Sequence, residues 1–570
     1  MTSKMYAIEF RKFSWKYFGD THWALENINL QINRGESVGI IGPSGAGKTT
    51  LSLCMNGLIP HRIRGTLRGD VLVFGKSVLN SKLSDLTRLT GIVFQDPETQ
   101  FVSMRVKNEL AFGMENYSLP IDVMEQRIKW VTELLRIDDL LDKTPTELSG
   151  GQKQRVALAS ILVLNPPILV LDEPVSDLDP VGKKEVYEAI KIVKQTTDST
   201  LVIIDHEIEE LSKYVDRLIL MNRGRIELDL PTRSFLQEVE TIESVGETVP
   251  DVTKLFHEMR KRGVWENPLP INIEEAVEIF PRNLLRPTFD RVVRDGIEMK
   301  DEDEIKISVH DLTYVYPDGT TALRGVNLQV HRGEFLAIMG QNGSGKTTLA
   351  KHLIGLLKPT QGKLTICNIE IPGPRVRELP RRVGYVFQNP DHQLFCTTVM
   401  EELMFGPLKT GVPRDEAMRR AMDIMEWLGL TEYRDQHPFS LGKGHRRRLA
   451  IGSVLSIDPE VLVVDEPTTG QDWKGSKEIM QLLNHLNRER GITIIIITHS
   501  VRLVAEHCRR VVVMSRGEII YDGPVRTMFK QKSVMERAFL HPPPINQFFE
   551  KIAEGSDYPI TVEEALKLLV

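Results

Sequence analysis

Short, unbroken apolar runs alternate along this chain with longer amphipathic stretches. SVGIIG at 37–42, ILVLDEP at 168–174 and TLVIID at 200–205 have the continuous hydrophobicity of strands buried on both faces of a sheet. The segments 125–141 and 183–195 between them carry helical periodicity. Buried strands separated by crossover helices predict a parallel α/β sheet.

The pattern then recurs. GIIGPSGAGKTTL, ending at Leu51, returns as AIMGQNGSGKTTL, ending at Leu349. GIVFQDPETQF (91–101) returns as GYVFQNPDHQLF (384–395), ILVLDEP as VLVVDEP (461–467), and LVIIDH (201–206) as IIIITH (494–499). Lys48 and Lys346 lie 298 residues apart, while Gln95/Gln388, Asp172/Asp465 and His206/His499 are each separated by 293. So long a constant register marks a duplicated domain, and the period is too large for a solenoid. The register extends to Pro231 and Pro524, and each is followed by about forty residues ending in a similar phrase, INIEEAVEIF (271–280) and ITVEEALKLL (560–569). Each phrase predicts a short closing helix with glutamate in its first turn. The expected organisation is a first domain at 1–230 with a small C-terminal appendage at 231–280, a joint at 281–304, a second domain at 305–523 and its appendage at 524–570.

Each copy carries a phosphate-binding pattern, G-x-x-x-x-G-K-[ST]. In the first it comprises Gly42, Ser44, Gly45, Gly47, Lys48, Thr49 and Thr50; in the second, Gly340, Asn342, Gly343, Gly345, Lys346, Thr347 and Thr348. The glycines let backbone N–H groups turn around phosphate oxygens at a helix N-terminus. Lys48 and Lys346 would reach the β- and γ-phosphates, and the Thr49 and Thr347 hydroxyls would ligand Mg²⁺. The Asp-Glu pairs end buried strands, where a nucleotide's metal sits in a parallel sheet. Asp172 and Asp465 would hold Mg²⁺ through its water shell, while Glu173 and Glu466 would orient or deprotonate the attacking water. His206 and His499, each 34 residues after the aspartate, end later strands and could contact the γ-phosphate.

Composition narrows the setting. Of 570 residues, 41% are hydrophobic and 26% charged, which excludes a disordered or collagen-like chain. The formal charge of −6 gives no basis for bulk binding to nucleic acid or anionic lipid. Cys54, Cys367, Cys396 and Cys508 are scattered, as expected of reduced thiols rather than a metal site. No aliphatic run approaches the roughly 20 residues that span a bilayer, and MTSKMYAIEF lacks the apolar stretch of a secretory signal.

With these motifs in place, the sequence resembles the ATP-binding-cassette (ABC) ATPases over almost its whole length. The deciding phrase is Leu148-Ser149-Gly150-Gly151-Gln152, similar to the family's signature, in which a helix N-terminus caps the γ-phosphate held by the opposite domain. The resemblance implies two tandem P-loop NTPase domains that bind and hydrolyse ATP with Mg²⁺. It also implies Q-loop glutamines at Gln95 and Gln388, which assist the metal, and D-loop aspartates at Asp179 and Asp472. It places adenine on Tyr17 and Tyr316, with Trp15 and Tyr314 as rival aromatics. The two ATP sites are expected to be unequal. Counting back 23 residues from Asp465, as Ser149 precedes Asp172, gives Leu441-Gly442-Lys443-Gly444-His445, which has lost the serine; Ser440 comes into register only with a gap.

QDPETQF followed by NELAFG, and QNPDHQLF followed by EELMFG, resemble the ATPases of energy-coupling-factor importers of vitamins and transition metals. The implied partners are a transmembrane coupling subunit and a substrate-binding subunit, docking near Gln95–Phe101 and Gln388–Phe395. The implied location is peripheral, on the cytoplasmic face of the cell membrane, with both cassettes supplied by one chain. A sugar-importer tandem ATPase and a soluble relative acting on ribosomes are the alternatives.

Overall fold

The structure, a computed structural model, describes residues 5–176, 178–285, 304–553 and 557–569. The chain divides into two compact units, one of residues 1–257 with 266–271, the other of 258–265 with 272–570.

In the first unit the strands are Ile8–Tyr17 (β1), Leu25–Ile32 (β2), Ser37–Ile41 (β3), Gly65–Val73 (β4), Lys76–Ser77 (β5), Thr90–Val93 (β6), Ile168–Asp172 (β7), Thr200–Ile204 (β8), Arg217–Asn222 (β9) and Arg225–Pro231 (β10). They form a four-stranded antiparallel sheet, β2-β1-β4-β5, and a six-stranded sheet, β10-β9-β3-β8-β7-β6. The larger sheet is parallel except for its edge hairpin β9–β10. All five residues of β3, β7 and β8 are buried, as their unbroken hydrophobicity requires. Ser37 pairs with Leu201 and Asp172 with Ile204, so β3, β7 and β8 run side by side and deliver their C-terminal ends to one edge. That edge is where parallel sheets bind ligands.

The second unit repeats both strand orders. Phe335–Met339 takes the place of β3, Val461–Asp465 of β7 and Thr493–Ile497 of β8. The expected helical stretches are Ile121–Leu135 and Pro180–Thr196. Residues 136–141, expected in the first of these helices, instead pass through a 3₁₀ turn at Asp138–Leu140 after Arg136 adopts a left-handed conformation.

The closing helices are Ile273–Ile279, capped by Asn272, and Val562–Lys567, capped by Thr561. The first belongs to the second unit, where Phe280 meets Phe548 edge-on at 5.4 Å and Leu285 bridges to Leu569. The expected joint, 281–304, lies outside the described residues except for 281–285 and Glu304. Among the described residues no helix is long and apolar enough to cross a membrane.

Candidate functional site

Each glycine-rich loop leaves the central strand and turns directly into a helix, Lys48–Met55 or Lys346–Leu353. Gly42 and Gly340 both have φ +144°, and a Cβ there would stand 2.1 Å and 2.3 Å from the carbonyl oxygens of Met221 and Met514. No side chain fits. The lysine ammonium groups are drawn back into their own loops: Lys48 Nζ donates to the Gly42 and Pro43 carbonyls, and Lys346 Nζ to Gly340 (2.7 Å) and Gln341 (2.9 Å).

Beside the first loop, the Asp172 carboxylate accepts from Thr49 and, at 3.4 Å, from the Ser52 hydroxyl. Burial and then the adjacent Glu173 raise its pKa to about 6, and Oδ1 takes no hydrogen bond. A buried carboxylate with an open oxygen beside a threonine hydroxyl has the donor chemistry of a divalent-cation site. In the second unit Thr347 donates to Asp465 Oδ2 at 3.4 Å, and Tyr385 donates to the same oxygen at 2.8 Å. Burial, foremost, raises the Asp465 pKa too.

Glu173 and Glu466 follow these strand ends with φ +51° and +46°, a left-handed conformation that costs a non-glycine residue energy and clusters at functional sites. Glu173 Oε1 meets His206 Nε2 at 2.8 Å, and Oε2 accepts from Gln95 Nε2 at 2.7 Å. Glu466 Oε1 meets His499 through Nδ1 at 2.9 Å. Thus Gln95, Glu173 and His206 form one cluster. For Gln388, the backbone carbonyl is what reaches its unit's centre, through Arg447.

The Tyr17 and Tyr316 hydroxyls hydrogen-bond Thr50 and Thr348 at 2.9 and 3.0 Å, which places both rings against their phosphate loops. Trp15 is fully buried in the core, edge-on to Tyr17, and Tyr314 packs edge-on to Tyr316.

Ser149 is the N-cap of helix Gly150–Leu162, so Gly150 and Gly151 form its first turn; Gln152 N–H donates to the serine hydroxyl and Gln152 Oε1 accepts from Ser149 N–H. Gly442 occupies the same place on helix Lys443–Leu455, with nearly the same backbone angles and no capping side chain; Gly444 lies in that first turn. Ser440 instead ends a 3₁₀ turn, its hydroxyl donating to the His437 carbonyl. Asp179 and Asp472 are N-caps, accepting from Gly182 and Gly475 at 2.8 and 2.7 Å.

The sequence model of the ABC transporter family matches residues 25–176 and 323–469, one match in each unit. A protein of Caldanaerobacter subterraneus described as an ABC transporter ATP-binding protein is 41% identical over 92% of both chains. One of Methanosarcina acetivorans with the same description is 38% identical over 94% of this chain and 89% of its own. A solved structure of cbiO1 from Clostridium perfringens, part of the ABC transporter complex cbiONQ, is 38% identical, covering 41% of this chain and 94% of its own with TM-score 0.38.

This chain belongs to the ABC transporter family.

It is a tandem ABC ATPase, and its two cassettes differ in ways that motif reading did not reveal. Where the first has Gln154, the second has Arg447, buried and donating to the carbonyls of Phe387 and Gln388 (2.6 Å each), Pro467 (3.1 Å), Asp465 (3.0 Å) and Glu466. Burial lowers its pKa to about 10, still charged at neutral pH. Arg447 thereby ties the backbone of the Q-loop to that of the Asp-Glu pair.

The ABC ATPase's two Q-loops share a built geometry. Gln100 and Gln393 fold back to accept from Phe94 N–H (3.3 Å) and Phe387 N–H (3.2 Å). Pro97 and Pro390 open 3₁₀ turns capped by Asp96 and Asn389. Buried Glu109 accepts from the Val102 and Ser103 amides at 2.9 and 2.7 Å; buried Glu402 does the same for Phe395 and Cys396 at 2.9 and 2.8 Å. The outcome is a pinned loop with outward apolar side chains: Val102 is 67% exposed, Met104 84% and Phe395 61%. The glutamates are legible in NELAFG and EELMFG only as helix residues; their burial and their two amide partners are what give them a role.

Proposed function

We propose that this ATPase is the energy-coupling subunit of a membrane importer of the energy-coupling-factor kind, taking up a vitamin or transition-metal ion. The observation that carries this reading is the pair of pinned Q-loops, each displaying exposed apolar side chains beside exposed polar ones, Asp96 and Glu98 in the first and Asn389 and His392 in the second. Exposed apolar clusters rimmed by polar groups mark interaction sites, and the same Q-x-P-x-x-Q phrase builds both loops. The partners are the transmembrane coupling subunit and the substrate-binding subunit, and the chain works peripherally on the cytoplasmic face of the membrane.

Lys48 and Lys346 neutralise γ-phosphoryl charge, with the P-loop amides of Gly42–Thr50 and Gly340–Thr348 holding the phosphates and Tyr17 and Tyr316 stacking on adenine. Thr49 and Asp172, assisted by Gln95, and Thr347 and Asp465, assisted by Gln388, would hold Mg²⁺, which would supply neutralisation of phosphate charge. Glu173 and Glu466 position and deprotonate water, and His206 and His499 fix those carboxylates. Ser149 to Gln152 and the altered segment Gly442 to Gly444 serve as signatures, with Asp179 and Asp472 alongside. The second P-loop's ATP, matched to the intact signature, is hydrolysed faster. The domain limits proposed are cassettes at 1–230 and 305–523, each with its C-terminal appendage.

Purification from detergent-solubilised membranes tests this reading. Integral membrane proteins are expected with the wild-type chain and lost with Phe395→Asp combined with Met104→Asp, while the purified chain's unfolding temperature stays unchanged. Recovery with ribosomes, and without any membrane protein, would overturn it.

A further inference from the structure

The first appendage places a carboxylate beside His206. Glu247 is only 2% exposed, and neither of its side-chain oxygens takes a hydrogen bond. Its charged neighbour is the imidazole: Oε1 lies 4.0 Å from His206 Nδ1, itself without a hydrogen bond, while Nε2 of the same ring holds Glu173.

The second cassette shows what this position needs for folding alone. Glu247 N–H donates to Ile242 O (3.2 Å) just as Leu540 N–H donates to Met535 O (2.9 Å); Gly246 N–H donates to Glu243 O as Phe539 N–H does to Glu536 O. Gly246 and Phe539 both have positive φ. The two backbones therefore make the same turn in register, and Leu540 stands at the position equivalent to Glu247 as a core residue, 3% exposed. An apolar side chain satisfies the fold there. A buried carboxylate without hydrogen bonds is costly, and a nearby positive charge offsets that cost. The rings also differ: His206 presents Nε2 to its glutamate, and His499 presents Nδ1.

We infer that Glu247 is a positioning residue for ATP hydrolysis at the first P-loop site: it holds Nδ1 of His206 towards the appendage and so directs Nε2 onto Glu173. This rests on the proposed roles of His206 and Glu173. Burial opposes charge on His206, but Glu173 and then Glu247 outweigh it and lift its pKa to about 9, in keeping with an imidazole held between two carboxylates.

The test uses the full chain carrying Glu466→Gln, so that the remaining hydrolysis reports the first site. Glu247→Leu, the side chain the second cassette carries, is expected to lower kcat about tenfold, the loss of one close carboxylate–imidazole attraction. KM for ATP and the unfolding temperature should hold. Glu247→Gln, which keeps the shape of the side chain and a carbonyl oxygen facing Nδ1, should retain more activity than the leucine variant. Unchanged kcat in Glu247→Leu overturns the inference, as does a joint fall in kcat and unfolding temperature that Gln does not rescue. Should His206→Ala leave first-site hydrolysis unchanged, the reading of His206 fails; should it lower hydrolysis where Glu247→Leu does not, the inference fails alone. Imidazole ¹⁵N spectra of the nucleotide-free chain read the contact without turnover. The His206 Nδ1 resonance, assigned with His206→Asn, should shift in Glu247→Leu, and an identical spectrum would overturn the inference.

Discussion

Glu173 and Glu466 sit in left-handed backbone at the ends of rigid buried strands, and such strain persists only where the surroundings over-determine it. Their surroundings differ: Gln95 and His206 grip Glu173, while Glu466 meets His499 beside carbonyls that Arg447 holds. Steady-state ATPase assays should find the larger loss in Glu466→Gln, and equal losses would count against unequal sites. The His206 charge also links stability to pH. A folded pKa of about 9, above the ordinary 6.5, stabilises the first unit fully below pH 6.5, by an amount that shrinks from there and is gone above about pH 9. Chemical denaturation should show that decline, and His206→Asn should flatten it. The lysines, threonines and Asp-Glu pairs were legible because fixed spacing encodes their chemistry. Glu247 was not, since VGETVPDV carries nothing to distinguish a buried glutamate from a solvated one.

At the scale of elements, the two signature helices begin alike in backbone and differ in side chain. Ser149 closes its helix with a reciprocal cap, and Ser149→Ala should destabilise the first unit by about 1 kcal/mol, read by denaturant titration. The helix at Lys443–Leu455 lacks that cap and instead carries Arg447 into the interior. Substituting the first cassette's residue, Arg447→Gln, would leave several buried carbonyls short of donors. Each costs about 1–3 kcal/mol, so calorimetry should find the second unit's transition lowered by several degrees. The count of 23 residues back from Asp465 located this helix start, because a strand and its preceding helix keep their spacing when copied. The arginine's destination could not be read, since RRR on a helix ordinarily signals a solvated face.

For the whole molecule, the repeat was legible because register survives substitution, and the strand orders of both sheets recur with it. The grouping of residues 272–285 with the second unit was not, because it depends on which apolar faces meet, Phe280 on Phe548 among them, and periodicity is silent about partners. The short sequence phrases around each Q-loop have a consequence at this scale. The amides of Val102, Ser103, Phe395 and Cys396 all donate to buried glutamates although the loops lie at the surface. Their hydrogen–deuterium exchange should therefore be slow, and Glu402→Gln should accelerate it at 395 and 396. A docking surface that is already ordered loses little conformational entropy on association. A partner docked there as proposed would meet a stiff ridge, and displacement of that ridge would transmit as motion instead of being absorbed as local slack.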